Sequence, residues 1–176
     1  LDFLTEAVPL LQEFGFPATV YLTTYYSEFR RPVFPTMLRY LLWKGRHRTL
    51  DIDGLAPGTQ PLSLDTTERR HAAFLQIMGP FQSRRNAGEA KDAVLTECAA
   101  RLGIDYDAIL RRRVLQLMNP DEVASLPRDL IDVQLHTHRH RVPADQQLFE
   151  QEIVDNRRRI SEMTGSSLTA VTHFCY

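Results

Sequence analysis

The same local unit occurs near both ends of this chain: an amphipathic helix, a closing glycine, then a short apolar strand. In the first copy Phe3, Ala7, Leu10, Leu11 and Phe14 recur at helical spacing and Gly15 caps the helix. The β-branched and aromatic run from Phe16 to Thr24 then reads as a buried strand. In the second copy Phe149, Ile153, Ile160 and Met163 line one face of a helix from about Ala144 to Met163, and Gly165 closes it. Leu168 to Tyr176 follows as a strand. Two blemishes stand out. Pro9 requires the first helix to kink or to start late, and Asn156 interrupts the apolar stripe of the second. A further strand, Leu130 to Leu135, precedes the second helix. Helices alternating with short buried strands imply an α/β fold with a parallel sheet, open or closed into a barrel.

The middle is different. Met37 to Trp43, Thr66 to Met78, Ala87 to Leu102 and Pro120 to Leu126 read as helices, with Asp65 or Thr66 as a cap. Thr49 to Leu64 is rich in Gly, Pro and Asp and reads as loop. Residues 27–127 are therefore expected to form a mostly helical insertion, and residues 1–26 and 128–176 to be parts of one α/β domain. The chain opens at Leu1 without an initiator Met and stops within an apolar run ending at Tyr176, so it reads as a window of a longer protein.

With 43% hydrophobic and 24% charged residues, composition is that of an ordinary globular domain. A net charge of -1 supplies no field to attract nucleic acid, and no apolar run is long enough to span a membrane. Arg84-Arg85, Arg111 to Arg113 and Arg157 to Arg159 read as solvated surface. The two cysteines, Cys98 on a helix and Cys175 on a strand, read as buried thiols. Tyr25, Tyr26, Phe29, Phe34, Tyr40 and Trp43 could stack on sugars, but such a stripe is first a core signal.

Chemistry is concentrated in Leu135-His136-Thr137-His138-Arg139-His140, directly after a strand. Imidazole is a common ligand for zinc and related divalent metals. Two rings four residues apart converge only if the backbone turns, because a regular strand would hold them over about 10 Å apart. Strand C-termini are also where α/β folds place their sites. His138 should point the other way and be structural. His173 reads as a core or strand-end histidine, and His47 and His71 have no partner spacing.

His136-Thr137-x-x-His140 after an apolar strand resembles the second motif of the polysaccharide deacetylase family, the NodB homology domain. Phe16 to Thr24 resembles that family's strand after its first motif, and Glu152 to Asn156 with Gly165 resembles the approach to its third. The likeness covers about Leu1–Tyr26 and Leu130–Tyr176. It implies a distorted (β/α) barrel of the NodB type, and hydrolysis of N-acetyl groups of a polysaccharide or oligosaccharide. It also implies a divalent metal held by His136 and His140, with Thr137 supporting the loop. Zinc is the first expectation, and cobalt or nickel is also permitted. The setting it implies is bacterial exopolysaccharide or cell-envelope carbohydrate metabolism, in the cytoplasm or the envelope.

Three departures qualify this. The family's Asp-Asp pair, general base and third ligand, is expected upstream of Leu1. No catalytic residue is therefore assigned within the chain, which alone should be inactive. Cys175 stands near the place of the third motif's arginine. The insertion of about a hundred residues is long for the family, and its position suits a cap or a selector of polymer. Three rival readings remain: a catalytically silent carbohydrate-binding relative, an O-acetyl carbohydrate esterase, and a metal-dependent hydrolase of another α/β barrel family.

Overall fold

The computed structural model describes residues 2–81 and 88–176. Arg84-Arg85, read above as surface, and Ala87, read as a helix start, lie outside the described residues. The helices are α1 (Val8–Phe14), α2 (Thr24–Glu28), α3 (Phe34–Lys44), α4 (Thr67–Met78), α5 (Gly88–Arg101), α6 (Tyr106–Arg111), α7 (Pro120–Ala124) and α8 (Gln146–Thr164). The strands are β1 (Ala18–Leu22), β2 (Thr49–Leu50), β3 (Leu62–Ser63) and β4 (Ile131–Leu135). The chain divides into two compact units, Leu1–Arg31 with Gln116–Tyr176, and Pro32–Leu115. Among the described residues no helix is long and apolar enough to cross a membrane.

In the first unit β1 and β4 pair in parallel, with register from Ala18↔Ile131 to Leu22↔Leu135. A parallel pair needs a long crossover, which here runs through the whole second unit. Val8, Leu22, Val123, Leu126, Ile131, Val133, Leu135, Ile160 and Val171 form the core beneath the sheet. Pro9 is accommodated by a π-helical turn, Phe3–Ala7, in which the Val8 N–H bonds the Phe3 carbonyl. Widening that turn by one residue makes room for a ring without an N–H. Gly15 and Gly165 both end their helices in the left-handed conformation, at φ 65° and 68°.

The third expected strand, Leu168–Tyr176, does not form as a regular strand. It meets β4 at one bridge, Leu135 to Phe174, flanked by bonds from Leu135 N–H to the His173 carbonyl and from Cys175 N–H to the Leu135 carbonyl. The reason is Gln134, which is buried. Its Oε1 accepts the N–H groups of Thr172 and His173, each at 2.9 Å, and its Nε2 donates to the Ala170 carbonyl at 3.0 Å. A side chain thus satisfies donors that a ladder would otherwise use.

The boundaries 26/27 and 127/128 also shift, because α2 and α7 belong to the first unit. Thr24, Tyr26 and Ser27 of α2 are buried there. α7 starts with a reciprocal capping box, Asn119 with Glu122, and places Val123 in the same core.

The second unit packs α3, α4 and α5 around Met37, Leu38, Leu41, Phe74, Ile77, Leu95, Cys98 and Leu102. Thr66 caps α4 by accepting the Arg69 N–H. The stretch read as loop contains a minimal antiparallel pairing, Thr49↔Ser63 and Leu50↔Leu62.

Candidate metal centre

β4 delivers the histidine loop by ending at Leu135. The chain then turns through two left-handed residues, Thr137 (φ 60°) and His140 (φ 54°). For a β-branched residue this conformation is a true outlier, costing about 1–3 kcal/mol. Thr137 offsets part of it by being fully buried and by accepting the Arg141 N–H on its hydroxyl at 3.0 Å. The turn brings the rings of His136 and His140 to 4.9 Å between centroids. In an extended strand four residues would separate them by about 13 Å.

Each ring is prepared differently. Nδ1 of His136 lies 2.5 Å from the Cys175 carbonyl oxygen. A carbonyl only accepts, so Nδ1 carries the proton, and in the neutral ring Nε2 keeps its lone pair for a ligand. His140 has its pKa lowered, first by desolvation and then by the neighbouring His136. Both effects favour the neutral, ligating form. Tyr176 forms a third wall, its ring 5.9 Å from His136 and 6.0 Å from His140.

Two polar residues one turn apart on α8 hold the loop from below. Asn156 is fully buried: its Oδ1 accepts the His136 N–H at 2.9 Å, and its Nδ2 donates to the Leu22 carbonyl and to Thr24 Oγ1. Glu152, 1% exposed, accepts the Arg139 N–H at 2.7 Å, Arg139 Nη1 at 3.1 Å and Arg141 Nε at 2.7 Å. Its backbone carbonyl accepts the His138 N–H. The interruption of the apolar stripe at Asn156 was the visible sign of this arrangement. Nothing in the spacing marked Tyr176 or the Cys175 carbonyl.

His138 turns away from the pair. It is buried, its Nδ1 lies 2.9 Å from Thr24 Oγ1, and its carbonyl accepts from Thr23 Oγ1 and Tyr25 N–H. Burial, aided by Arg139, pushes its pKa down to about 4. It ties the loop to α2. Cys175 is exposed, contrary to the expectation of a buried thiol, because the segment that holds it joins the sheet at one bridge only. His173 is likewise exposed and joins through its backbone. Of the aromatics, Tyr26 and Phe34 are core, whereas Phe29 and Trp43 are half exposed.

The donor set fits a divalent metal of borderline softness: two converging imidazoles, one with its tautomer fixed by a carbonyl. Among the described residues no group of three His, Cys, Asp or Glu side chains converges to complete a coordination sphere. No protein-family model, curated protein or solved structure matches the chain.

Proposed function

We propose that this chain supplies the His136–His140 part of a metal-dependent deacetylase that hydrolyses N-acetyl groups of a polysaccharide, on a distorted (β/α) barrel of the NodB type. The observation that carries the reading is the strained turn at Thr137, which brings together two imidazoles that the His-Thr-x-x-His spacing alone would leave apart. Strain held in place by a buried hydroxyl and a buried amide fits a site better than it fits a connecting loop.

A bound divalent ion, zinc by preference, supplies a Lewis acid that polarises the amide carbonyl and acidifies water. His136 presents Nε2 with its ring orientation set by the Cys175 carbonyl, and His140 presents a neutral ring. Thr137 keeps the loop turned. The general base and third ligand belong to the aspartate pair that the resemblance puts ahead of Leu1. The acetylated chain itself is bacterial exopolysaccharide or envelope glycan in this reading.

The test is metal analysis and acetate release on the full-length protein beside His136→Ala and His140→Ala. Loss of bound metal and of acetate release in both variants supports the proposal. Metal retained in both variants overturns it. Metal lost with no turnover on any acetylated glycan favours the catalytically silent binding relative, and turnover confined to ester substrates favours an O-acetyl esterase.

A further inference from the structure

The second unit carries several exposed cations that, among the described residues, pair with none of its acids. From Pro32 to Leu50 the sequence has no Asp or Glu and includes Arg39, Lys44, Arg46 and Arg48. α3 buries Phe34, Met37, Leu38, Leu41 and Leu42 and leaves Arg39, Trp43 and Lys44 exposed, with Trp43 one turn on from Arg39 and Lys44 about 140° round the helix from it.

Three of these cations rest on aromatic rings. The Arg39 guanidinium lies 3.9 Å above the Phe74 ring, Lys44 Nζ 5.9 Å from Tyr40 and the Arg46 guanidinium 4.6 Å from Trp43. Arg46 Nη1 also donates to the Trp43 carbonyl. Elsewhere in this unit arginines meet carboxylates: Arg69 with Asp65, Arg101 with Glu97 and Arg111 with Asp105. Among the described residues Arg39, Lys44 and Arg46 form no such pair. A guanidinium seated on a ring has part of its rotamer freedom already removed, while its in-plane N–H edge stays open to an oxyanion.

Beside Arg39 is a cleft of about 220 Å³ lined by Arg39, Leu42, Thr67, Arg70, His71 and Phe74. Arg70 is fixed there by bonds to the Leu64 and Asp65 carbonyls and to Thr67 Oγ1. The floor is apolar and the rim is two guanidiniums, an imidazole and a hydroxyl. Drug-sized ligand sites run to about 300–1,000 Å³, so this one suits a single acidic ring with the rest of its polymer in solvent.

We propose that the Arg39 side of α3 and the cleft beside it bind an anionic polysaccharide of uronate type, with one carboxylated ring in the Arg39 cleft and a further carboxylate on Arg46. The proposal rests on reading the protein as one that acts on a polysaccharide, and names the charge of that polymer. A sugar ring meets the apolar floor while its carboxylate meets a guanidinium fork. A nucleic acid would call for a longer basic track, because duplex DNA carries a charge about every 1.7 Å.

The experiment is titration of the full-length protein with a galacturonate hexamer, a neutral N-acetylglucosamine hexamer and oligothymidine, followed by calorimetry at two salt concentrations. Saturable binding of the galacturonate hexamer is expected, weaker at higher salt. The double variant Arg39→Gln, Arg46→Gln weakens it by about tenfold or more, the scale of one lost charge-assisted contact. Arg39→Lys, which keeps the charge and loses the fork, falls between. Unchanged affinity in these variants, equal binding of the neutral hexamer, or tighter binding of oligothymidine overturns the proposal. Metal content measured on the same samples separates the two readings. Metal bound without galacturonate binding overturns this inference alone, and galacturonate binding without metal supports it while overturning the metal centre.

Discussion

The carboxamide of Asn156 on α8 holds the backbone N–H of His136 at 2.9 Å, and the same group reaches the Leu22 carbonyl at the end of β1. One buried side chain therefore links the parallel strand pair, the helix beneath it and the first residue of the histidine loop.

Asn156→Leu should lower stability by about 2–4 kcal/mol, because it strands a buried N–H and a buried carbonyl without partners. Urea unfolding of the variant beside wild type measures this. A loss under about 0.5 kcal/mol would mean that the amide is not the tie described here.

Thr137 separates strain from bonding. Thr137→Val keeps the β-branched side chain in the left-handed conformation and removes the acceptor for the Arg141 N–H, and should cost about 2 kcal/mol. Thr137→Ser keeps the hydroxyl and should cost less than half as much. Equal losses in the two variants, by the same unfolding measurement, would show that the hydroxyl contributes nothing.

Glu152→Gln removes the charge that two arginines share. Their side chains are each 33% exposed, so water takes over part of the pairing, and a loss of about 2 kcal/mol is expected. The loop from His136 to Arg141 should also be cut sooner by protease. An unchanged cleavage rate there would argue that Glu152 does not hold the loop.

Alkali should weaken the second unit. Burial pushes the Cys98 thiol up to about 12, and burial with Asp92 pushes the Tyr106 hydroxyl up to about 12. Both groups ionise in the unfolded chain from about pH 9 to 10, so above that range the unfolded state holds fewer protons than the folded one. Stability therefore falls as pH rises towards 12. A variant with Cys98→Ala and Tyr106→Phe should lose less stability between pH 9 and pH 11 than wild type. Parallel curves would contradict the burial argument.

The two thiols should also part in their chemistry. At pH 8 a maleimide should label the exposed Cys175 and leave Cys98 untouched until the protein unfolds. Mass spectrometry of the labelled peptides decides it, and early labelling of Cys98 would place that residue outside the core.

The elements written in period and punctuation were legible beforehand. β1 and β4 fall within the stretches read as strands, although β1 buries only Leu22 fully, α8 has a 3.6-residue stripe, and Gly15, Gly165 and Thr66 mark helix ends where they fall. What escaped depends on contacts distant in sequence. Leu168–Tyr176 has strand-like composition, yet Gln134 takes two of its N–H groups. No helix is expected at α2: its first residue, Thr24, stands at the end of the expected strand, and its place is fixed by a bond to His138, more than a hundred residues away. The histidine pair was legible as spacing. Its convergence was not, because no local rule puts a threonine at φ 60°.

Glu152, Asn156 and Ile160 occupy one stripe of α8, so the loop supports and the core contact turn together. A rotation of the helix by one residue, about 100°, would release His136, Arg139 and the apolar core at once. Any sequence change that lets α8 slip is thus read out first at the histidines, and the site behaves as a gauge of how well this helix is seated.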